Sequence, residues 1–420
     1  MGGGRGVESG KDSGRDEGAV TGEGMRAVAG GRPRRLPFQE RKTAWRGVLD
    51  VATGRYPAFL FGGGFPRRAV PVFHFHESSR AGLEPYFRHV AESGCRTIGA
   101  DELEAWVLRG VSPGPRAVAL TFDDAWSSLW FTVGPLLAEY GLRAIAYVSP
   151  ARVPDGPSSP RPAPPSGEAP PARIDREDPM FCTWAELRAL EASGRVDIQA
   201  HSYRHAQVPS DPAVTGFLEP GARIHPHDVP WVDAPGGPRF LSRGDLGAPL
   251  RQTRSRLSDV LAWRAPEAFE ACTEAVRAGG GEAFFGRPGW RDVLRRVLAN
   301  APAGRRETPE ERMAALREDL GRSRETLSAA LGKDIAHMCF PWAVSSRESI
   351  EAARAVGFRT ACSDRLFGRH LAEAGQPPYQ IMRLKHAWLP CLPGPGRRRP
   401  WQRLPGAASG LDLANPLYPP

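Results

Sequence analysis

Two short apolar runs end in residues able to hold a metal ion or move a proton. Val118-Ala119-Leu120-Thr121-Phe122 leads into Asp123-Asp124, and Ile198-Gln199-Ala200 leads into His201-Ser202-Tyr203-Arg204-His205. Each run has strand length, which puts the chemistry-bearing groups at strand tips. One carboxylate and two imidazoles form a shell that a hard or borderline divalent cation accepts, leaving coordination positions for water and substrate. Such an ion lowers the pKa of a coordinated water toward neutrality, and the second carboxylate is then available as a proton acceptor. The pattern points to metal-assisted hydrolysis. If residues 201–205 make a helical turn, their i, i+4 spacing puts both rings on one side.

Groups at successive strand tips converge only if the strands run parallel, with helices returning the chain between them. Pro71-Val72-Phe73-His74-Phe75-His76 reads as a first buried strand, residues 82–93 as an amphipathic segment and Thr97-Ile98 as a second strand. Residues 126–140 read as a helix closed by Gly141, and Ala144-Ile145-Ala146-Tyr147-Val148 as the next strand. The Pro-rich residues 150–175 must be a loop. Thr183-Trp184-Ala185-Glu186 is a capping box that opens a helix closed at Gly194. Thr308-Pro309-Glu310-Glu311 opens another, with Met313, Leu316, Leu320, Leu327 and Leu331 along one face. Residues 335–340 read as a strand, 346–356 as a helix capped by Gly357, and 380–384 as a last strand. This alternation predicts an α/β fold on a parallel sheet, closed or open.

Between Pro209 and Arg306 the alternation fails. Pro, Gly and Arg dominate, with helical stretches expected at 251–263, 266–278 and 290–299. The spacing of Leu and Trp argues for a folded subdomain over the catalytic mouth rather than a structureless loop.

A chain of 420 residues with 41% hydrophobic content suffices for one large domain plus extra segments. The net charge of +9 comes almost entirely from arginine. Clusters such as Arg32-Pro33-Arg34-Arg35 and Arg397-Arg398-Arg399 read as solvated tails, with weak attraction to anionic sugars, lipid headgroups or nucleic acid as the alternative. No nucleic-acid-binding module accompanies the charge, so no nucleic-acid partner is expected. Six widely spaced cysteines make no Cys-x-x-Cys pair and suit a reducing compartment. The Gly-rich, charged start shows no secretion signal, and Ala58-Phe59-Leu60-Phe61 is too short to span a bilayer. The expectation is a cytoplasmic protein without a transmembrane span, held at most weakly at a membrane surface. Residues 1–36 lack periodicity and should be disordered, with Met25 as an alternative start.

The pairing of Thr121-Phe122-Asp123-Asp124 with His201-Ser202-x-x-His205 resembles the first two motifs of the polysaccharide deacetylases, carbohydrate esterase family 4, whose core is the NodB-homology domain. Cys339-Phe340-Pro341-Trp342 matches in part the family's Arg-x-Pro-Tyr/Trp motif, and Leu384-Lys385-His386 matches its Leu-x-His motif. The likeness runs from about Val70 to about Pro390, interrupted by the insertion. It implies a distorted (β/α) barrel of the polysaccharide deacetylase type with a long inserted segment, its active site at the C-terminal strand ends. The expected parts are a tail at 1–36, a catalytic domain at 37–208 and 307–390, an insertion at 209–306 and a C-terminal tail at 391–420.

By the same resemblance Asp124, His201 and His205 hold one divalent ion. Zinc is expected, with Co2+, Ni2+, Mn2+ or Fe2+ as alternatives. Asp123 is the general base, and His386 the general acid that protonates the leaving amine. His76, at the end of the first strand, competes for the acid role. Pro341, Trp342, His76 and Arg383 are expected against the substrate. Cys339 stands where many family members carry the arginine that orients the catalytic Asp, leaving Arg383 or another arginine to take its place. His225-Pro226-His227-Asp228 holds further ligand types, but a proline between the rings and the lack of a flanking strand make it a solvated loop. The implied activity is removal of an N-acetyl or other N-acyl group from an amino sugar in a glycan or sugar precursor. The alternative within the fold is another C–N hydrolase acting on a small amide or cyclic imide. An alternative of another class is a non-catalytic glycan-binding protein, which would have no use for Asp123 beside a full ligand trio. The oligomeric state is left open.

Overall fold

The computed structural model describes residues 49–76, 79–162, 180–222, 224, 228–365, 368–399 and 402. Seven parallel strands form its centre: β1 (Val72–Phe75), β2 (Ala117–Asp123), β3 (Ala144–Val148), β4 (Val196–Ala200), β5 (His337–Cys339), β6 (Thr360–Cys362) and β7 (Leu384–Lys385). They lie in the order β6-β5-β4-β3-β2-β1-β7. Every pairing is parallel. Just before β7, Ile381 bridges to Cys362 of β6, and Ala361 N donates to Pro378 O (2.8 Å). One segment, 378–385, therefore pairs with the strands at both ends of the sheet and curls it into a distorted barrel.

Strand alternation sorts the side chains between two cores. Phe73, Phe75, Val118, Leu120 and Phe122 point outward and pack with the helices. Val72, Ala119, Ile145, Tyr147, Cys339, Cys362 and Ile381 fill the interior. The helices around the sheet are α1 (Arg80–Glu92), α2 (Ala100–Arg109), α3 (Gly134–Glu139), α4 (Trp184–Ala192), α5 (Pro309–Leu331) and α6 (Arg347–Ala355). Both capping boxes read from the sequence are formed. Thr183 and Thr308 accept from the backbone of Glu186 (3.4 Å) and Glu311 (3.2 Å), whose carboxylates accept in return at 2.9 and 2.8 Å. The helix expected over 126–140 is broken into a π-helical turn at Leu129–Val133 followed by α3. Pro135 explains the break: it has no N–H to give to residue 131, and its ring crowds that carbonyl.

The insertion is folded but differs from its sequence reading. Helices form at Pro266–Ala278 and Trp290–Asn300 as expected. Residues 251–263 do not form a helix; Pro249–Ser255 is a strand paired antiparallel with Gln207–Phe217. Thr253 and Ser255 point inward there, so the period-two signal is carried by hydroxyls instead of apolar side chains. Thr253 Oγ1 donates to Gln207 Oε1 (2.6 Å). The segment has its own apolar clusters, one around Phe269 with Leu218, Val232 and Leu250, another around Trp290 with Cys272, Phe284 and Leu294. Residues 391–399, read as part of a tail, pack on the body instead. Cys391 and Leu392 are buried, and Arg397 donates to the carbonyls of Phe59 (2.5 Å) and Gly63 (2.7 Å). The expected tail at 1–36 lies outside the described residues. Among the described residues no helix is long and apolar enough to cross a membrane.

Candidate active site

The carboxylate pair straddles the end of β2. Ala119, Thr121 and Asp123 share the inward face, so Asp123 sits at the top of the barrel interior. Alternation alone would send Asp124 to the helix side. Instead the chain turns left-handed at Asp124 (φ 73°) and Ala125 (φ 54°), a region Asp tolerates better than most residues. That turn, held by Asp124 N donating to Tyr147 O (3.0 Å), returns the second carboxylate to the centre.

The histidines arrive from β4. Asp124 Oδ1 lies 3.5 Å from His201 Nε2 and 3.4 Å from His205 Nε2, and all three side chains are buried. Each offers one ligand atom within 4.8 Å of the others. His201 N donates to Val148 O (2.8 Å), extending the strand pairing by one step. Its Nδ1 is 2.7 Å from the carbonyl of Cys339. That bond fixes the N–H on Nδ1 and leaves the Nε2 lone pair facing Asp124. Residues 201–205 do not make a helical turn. Ser202 (φ 61°) and His205 (φ 51°) are left-handed, with His205 N donating to Ser202 Oγ (3.0 Å). Trp342 (φ 55°) packs its ring 4.2 Å from that of His205, and Pro341 is buried beside it. Apart from Arg116, every non-glycine residue described with a left-handed backbone lies here, where strained backbone serves to aim side chains. Two imidazole nitrogens and a carboxylate oxygen, converging with one tautomer fixed, fit a divalent cation by number and type of donor.

Asp123 is gripped by Arg383, which reaches across the interior from the segment that closes the ring. Arg383 Nη1 donates to Asp123 Oδ1 and Nη2 to Oδ2, both at 2.7 Å, and Nη1 also donates to Thr121 Oγ1 (3.0 Å). Burial alone would raise the Asp123 pKa; the Arg383 charge and its two hydrogen bonds outweigh it and hold the carboxyl well below its usual range. Cys339, where the family motif has arginine, also points into the interior, and the guanidinium comes from Arg383 instead.

The two candidate acids sit differently. His76 Nε2 is 3.9 Å from Asp123 Oδ2, and its side chain is 51% exposed at the mouth. His386 stacks on Phe75 (ring centres 5.2 Å, 21°) and meets the edge of Tyr86 (5.4 Å). Burial, aided by the nearby His76, pulls its pKa down to about 4.

Three neighbours escaped the sequence reading. His74 shares the interior, level with Thr121 and Lys385 in the pairing, and its ring lies edge-on to His76 (5.5 Å). Arg152 lies in a turn after β3 that the sequence gives only as Pro-rich loop. The hairpin of Trp231–Ala234 and Gly237–Phe240 sets Trp231 over Arg204 (4.7 Å) and Phe240 over Arg152 (4.2 Å), docking the insertion beside the histidine segment. Of the His225–Asp228 group, His225, Pro226 and His227 lie outside the described residues, and Asp228 accepts from Gln207 Nε2 (3.0 Å). A second cluster, Asp101, Glu104 and His337, is threaded by Arg359, which donates to Asp101 (3.2 Å) and Glu104 (3.0 Å); it is an ion-pair network.

Among curated proteins, none matches the chain by sequence. Several solved structures resemble it, three of them as follows. A de-N-acetylase from Aggregatibacter actinomycetemcomitans is 15% identical, covering 74% of this chain and 97% of its own, with a TM-score of 0.43. The BpsB deacetylase domain from Bordetella bronchiseptica is 19% identical, covering 72% and 91%, with a TM-score of 0.44. IcaB from Ammonifex degensii is 15% identical, covering 78% and 99%, with a TM-score of 0.42. The family model for polysaccharide deacetylase matches residues 110–216, the stretch that contains both carboxylates and both histidines. That match falls on the residues that converge above β2 and β4: residues 110–216 are similar to the polysaccharide deacetylases, which are carbon–nitrogen hydrolases.

Proposed function

We propose that the protein is a metal-dependent N-deacetylase of an amino sugar, carried as a glycan or a sugar precursor. The observation that carries this reading is Asp123, an ionised, Arg383-clamped carboxylate, next in sequence to a buried Asp124-His201-His205 donor set. A binding module has no use for that arrangement. Asp124, His201 and His205 would hold one divalent ion, with zinc favoured by the two imidazoles. Bound there, it would supply Lewis acidity to a water and to the acyl carbonyl.

The chain's own groups divide the proton work. Asp123 takes the proton of the attacking water; Arg383 keeps it ionised and fixes both oxygens, so its orientation is set before substrate arrives. His76 is the better placed acid for the leaving amine, because it stands 3.9 Å from Asp123 and opens to the mouth. A general acid must carry its proton. With a pKa of about 4, His386 would carry one in roughly a thousandth of molecules at pH 7. Its stacking on Phe75 and edge contact with Tyr86 suit a positioning role. Trp342 and Pro341 form the wall behind His205. Six unbridged thiols support residence in a reducing compartment. The decisive experiment incubates zinc-loaded protein with a panel of N-acetylated mono- and oligosaccharides and measures acetate release. Release from none of them, with cleavage of a small cyclic imide instead, would transfer the reading to the other C–N hydrolases.

A further inference from the structure

Arg152 ends the short turn Pro150–Arg152 that follows β3. The turn is pinned to the histidine segment on both sides, Ser149 Oγ donating to His201 O (2.7 Å) and Ala151 N to Tyr203 O (2.9 Å). The insertion holds the guanidinium from above, with Cζ 4.2 Å from the centre of the Phe240 ring. Burial disfavours its charge, while the carboxylate of Asp124 lies close enough to favour it. Among the described residues, Arg152 Nε and Nη2 are shut off from solvent and make no hydrogen bond. Other arginines at this rim are committed: Arg383 to Asp123, and Arg204 to Glu318 and Asp319. Nε and Nη2 are the two donors of one guanidinium edge, whose parallel N–H bonds match the oxygens of a carboxylate, sulfate or phosphate. Buried donors are normally paired, so an edge left unpaired beside the Asp124-His201-His205 cluster is suited to a group that comes and goes.

We propose that Arg152 is an oxyanion-binding residue of the catalytic mouth, gripping two oxygens of one anionic group through Nε–H and Nη2–H. The proposal rests on the deacetylase reading for its location in the reaction. That reading supplies two sources of such a group: an acidic substituent on the glycan beside the acetylated residue, or the acetate released by hydrolysis. In either case a side chain outside the family motifs, positioned by the insertion, shapes what the site accepts or retains.

The test titrates sodium sulfate and sodium acetate calorimetrically into the full-length zinc-loaded protein at constant ionic strength, comparing wild type with Arg152→Met and Arg152→Lys. Equal metal content and equal thermal midpoints serve as the folding control. Arg152→Met should weaken sulfate binding about tenfold or more, and Arg152→Lys by less, because a charge-assisted bidentate contact is lost in one and reduced to a point charge in the other. Kinetics then identify the source. A KM raised only for uronate-bearing N-acetylated oligosaccharides assigns the contact to the substrate. An unchanged KM with a raised inhibition constant for acetate assigns it to the product. Equal sulfate and acetate affinity in wild type and Arg152→Met overturns the proposal. The binding arm needs no turnover, so Arg152-dependent sulfate binding without acetate release would refute the deacetylase reading alone. Acetate release with all Arg152 variants indistinguishable would refute this proposal alone.

Discussion

Replacing Arg383 with methionine removes a charge from the barrel interior while keeping an apolar side chain of similar reach. The wild-type pair is deeply buried, with side chains only 7% and 4% exposed, and its two hydrogen bonds are both 2.7 Å long. Removing one partner of such a pair costs about 3–5 kcal/mol, because the remaining charge is stranded. At roughly 1–1.5 °C per kcal/mol for a chain of this size, the thermal midpoint at pH 7 should fall by about 3–7 °C. The pH dependence follows from the direction of the shift. In the wild type the folded-state pKa of Asp123 lies below its ordinary 3.8, so the pair's stabilisation is full above 3.8 and is lost as pH falls through the folded value. In Arg383→Met, burial acts unopposed and raises that pKa, so the penalty shrinks as acidification neutralises the carboxyl. The gap between the two proteins should be widest near pH 7 and close toward pH 4 and below. Adding Asp123→Asn should recover most of the loss. Differential scanning fluorimetry across pH 4–8 makes the measurement. A variant within 1 °C of wild type at pH 7, or a gap that widens on acidification, would refute the account of Asp123.

Elemental analysis of His201→Ala/His205→Ala should find the divalent ion lost, whereas Asp123→Asn should retain it and lose roughly 100-fold or more in kcat. Loss of metal with retained activity in Asp123→Asn would reverse the roles of the two aspartates. His76→Gln should depress kcat more than His386→Gln, and only the former should remove a limb of the pH–rate profile; the opposite ranking would return the acid role to His386. Excising residues 215–300 should leave a metal-binding body with altered substrate preference, read from the acetate-release panel, and an unchanged preference would make the insertion a bystander.

The convergence of Asp124, His201 and His205 was legible in the sequence because they sit where apolar strand runs stop, and few other roles require those residue types there. The parallel order of strands followed from their spacing with capped helices. What stayed hidden depended on contacts distant in sequence or on polar alternation. The grip of Arg383 on Asp123 crosses 260 positions and could be named only as one candidate replacement for the motif arginine. The strand at Pro249–Ser255 shows its inward face through Thr253 and Ser255, which hydropathy reads as surface. Arg152 sits in a Pro-rich turn whose composition signals a loop, and its proximity to Asp124 exists only after β3 and β4 pair.

The segment that shuts the ring also delivers the counter-charge of Asp123, and this has a consequence for the order of events during synthesis. Asp123 leaves the ribosome 260 residues before Arg383. At about 5–20 residues per second the interval is roughly 15–50 s. Through that interval any collapsed intermediate that encloses Asp123 favours its protonated form, since desolvation has nothing to oppose it. The Asp124-His201-His205 trio is complete once His205 has emerged, but Asp123, the proposed proton acceptor, gains its counter-charge only when the final strand docks. On the proposed reading, a nascent or truncated chain would therefore hold a cation without hydrolysing anything, and activity would appear only with closure.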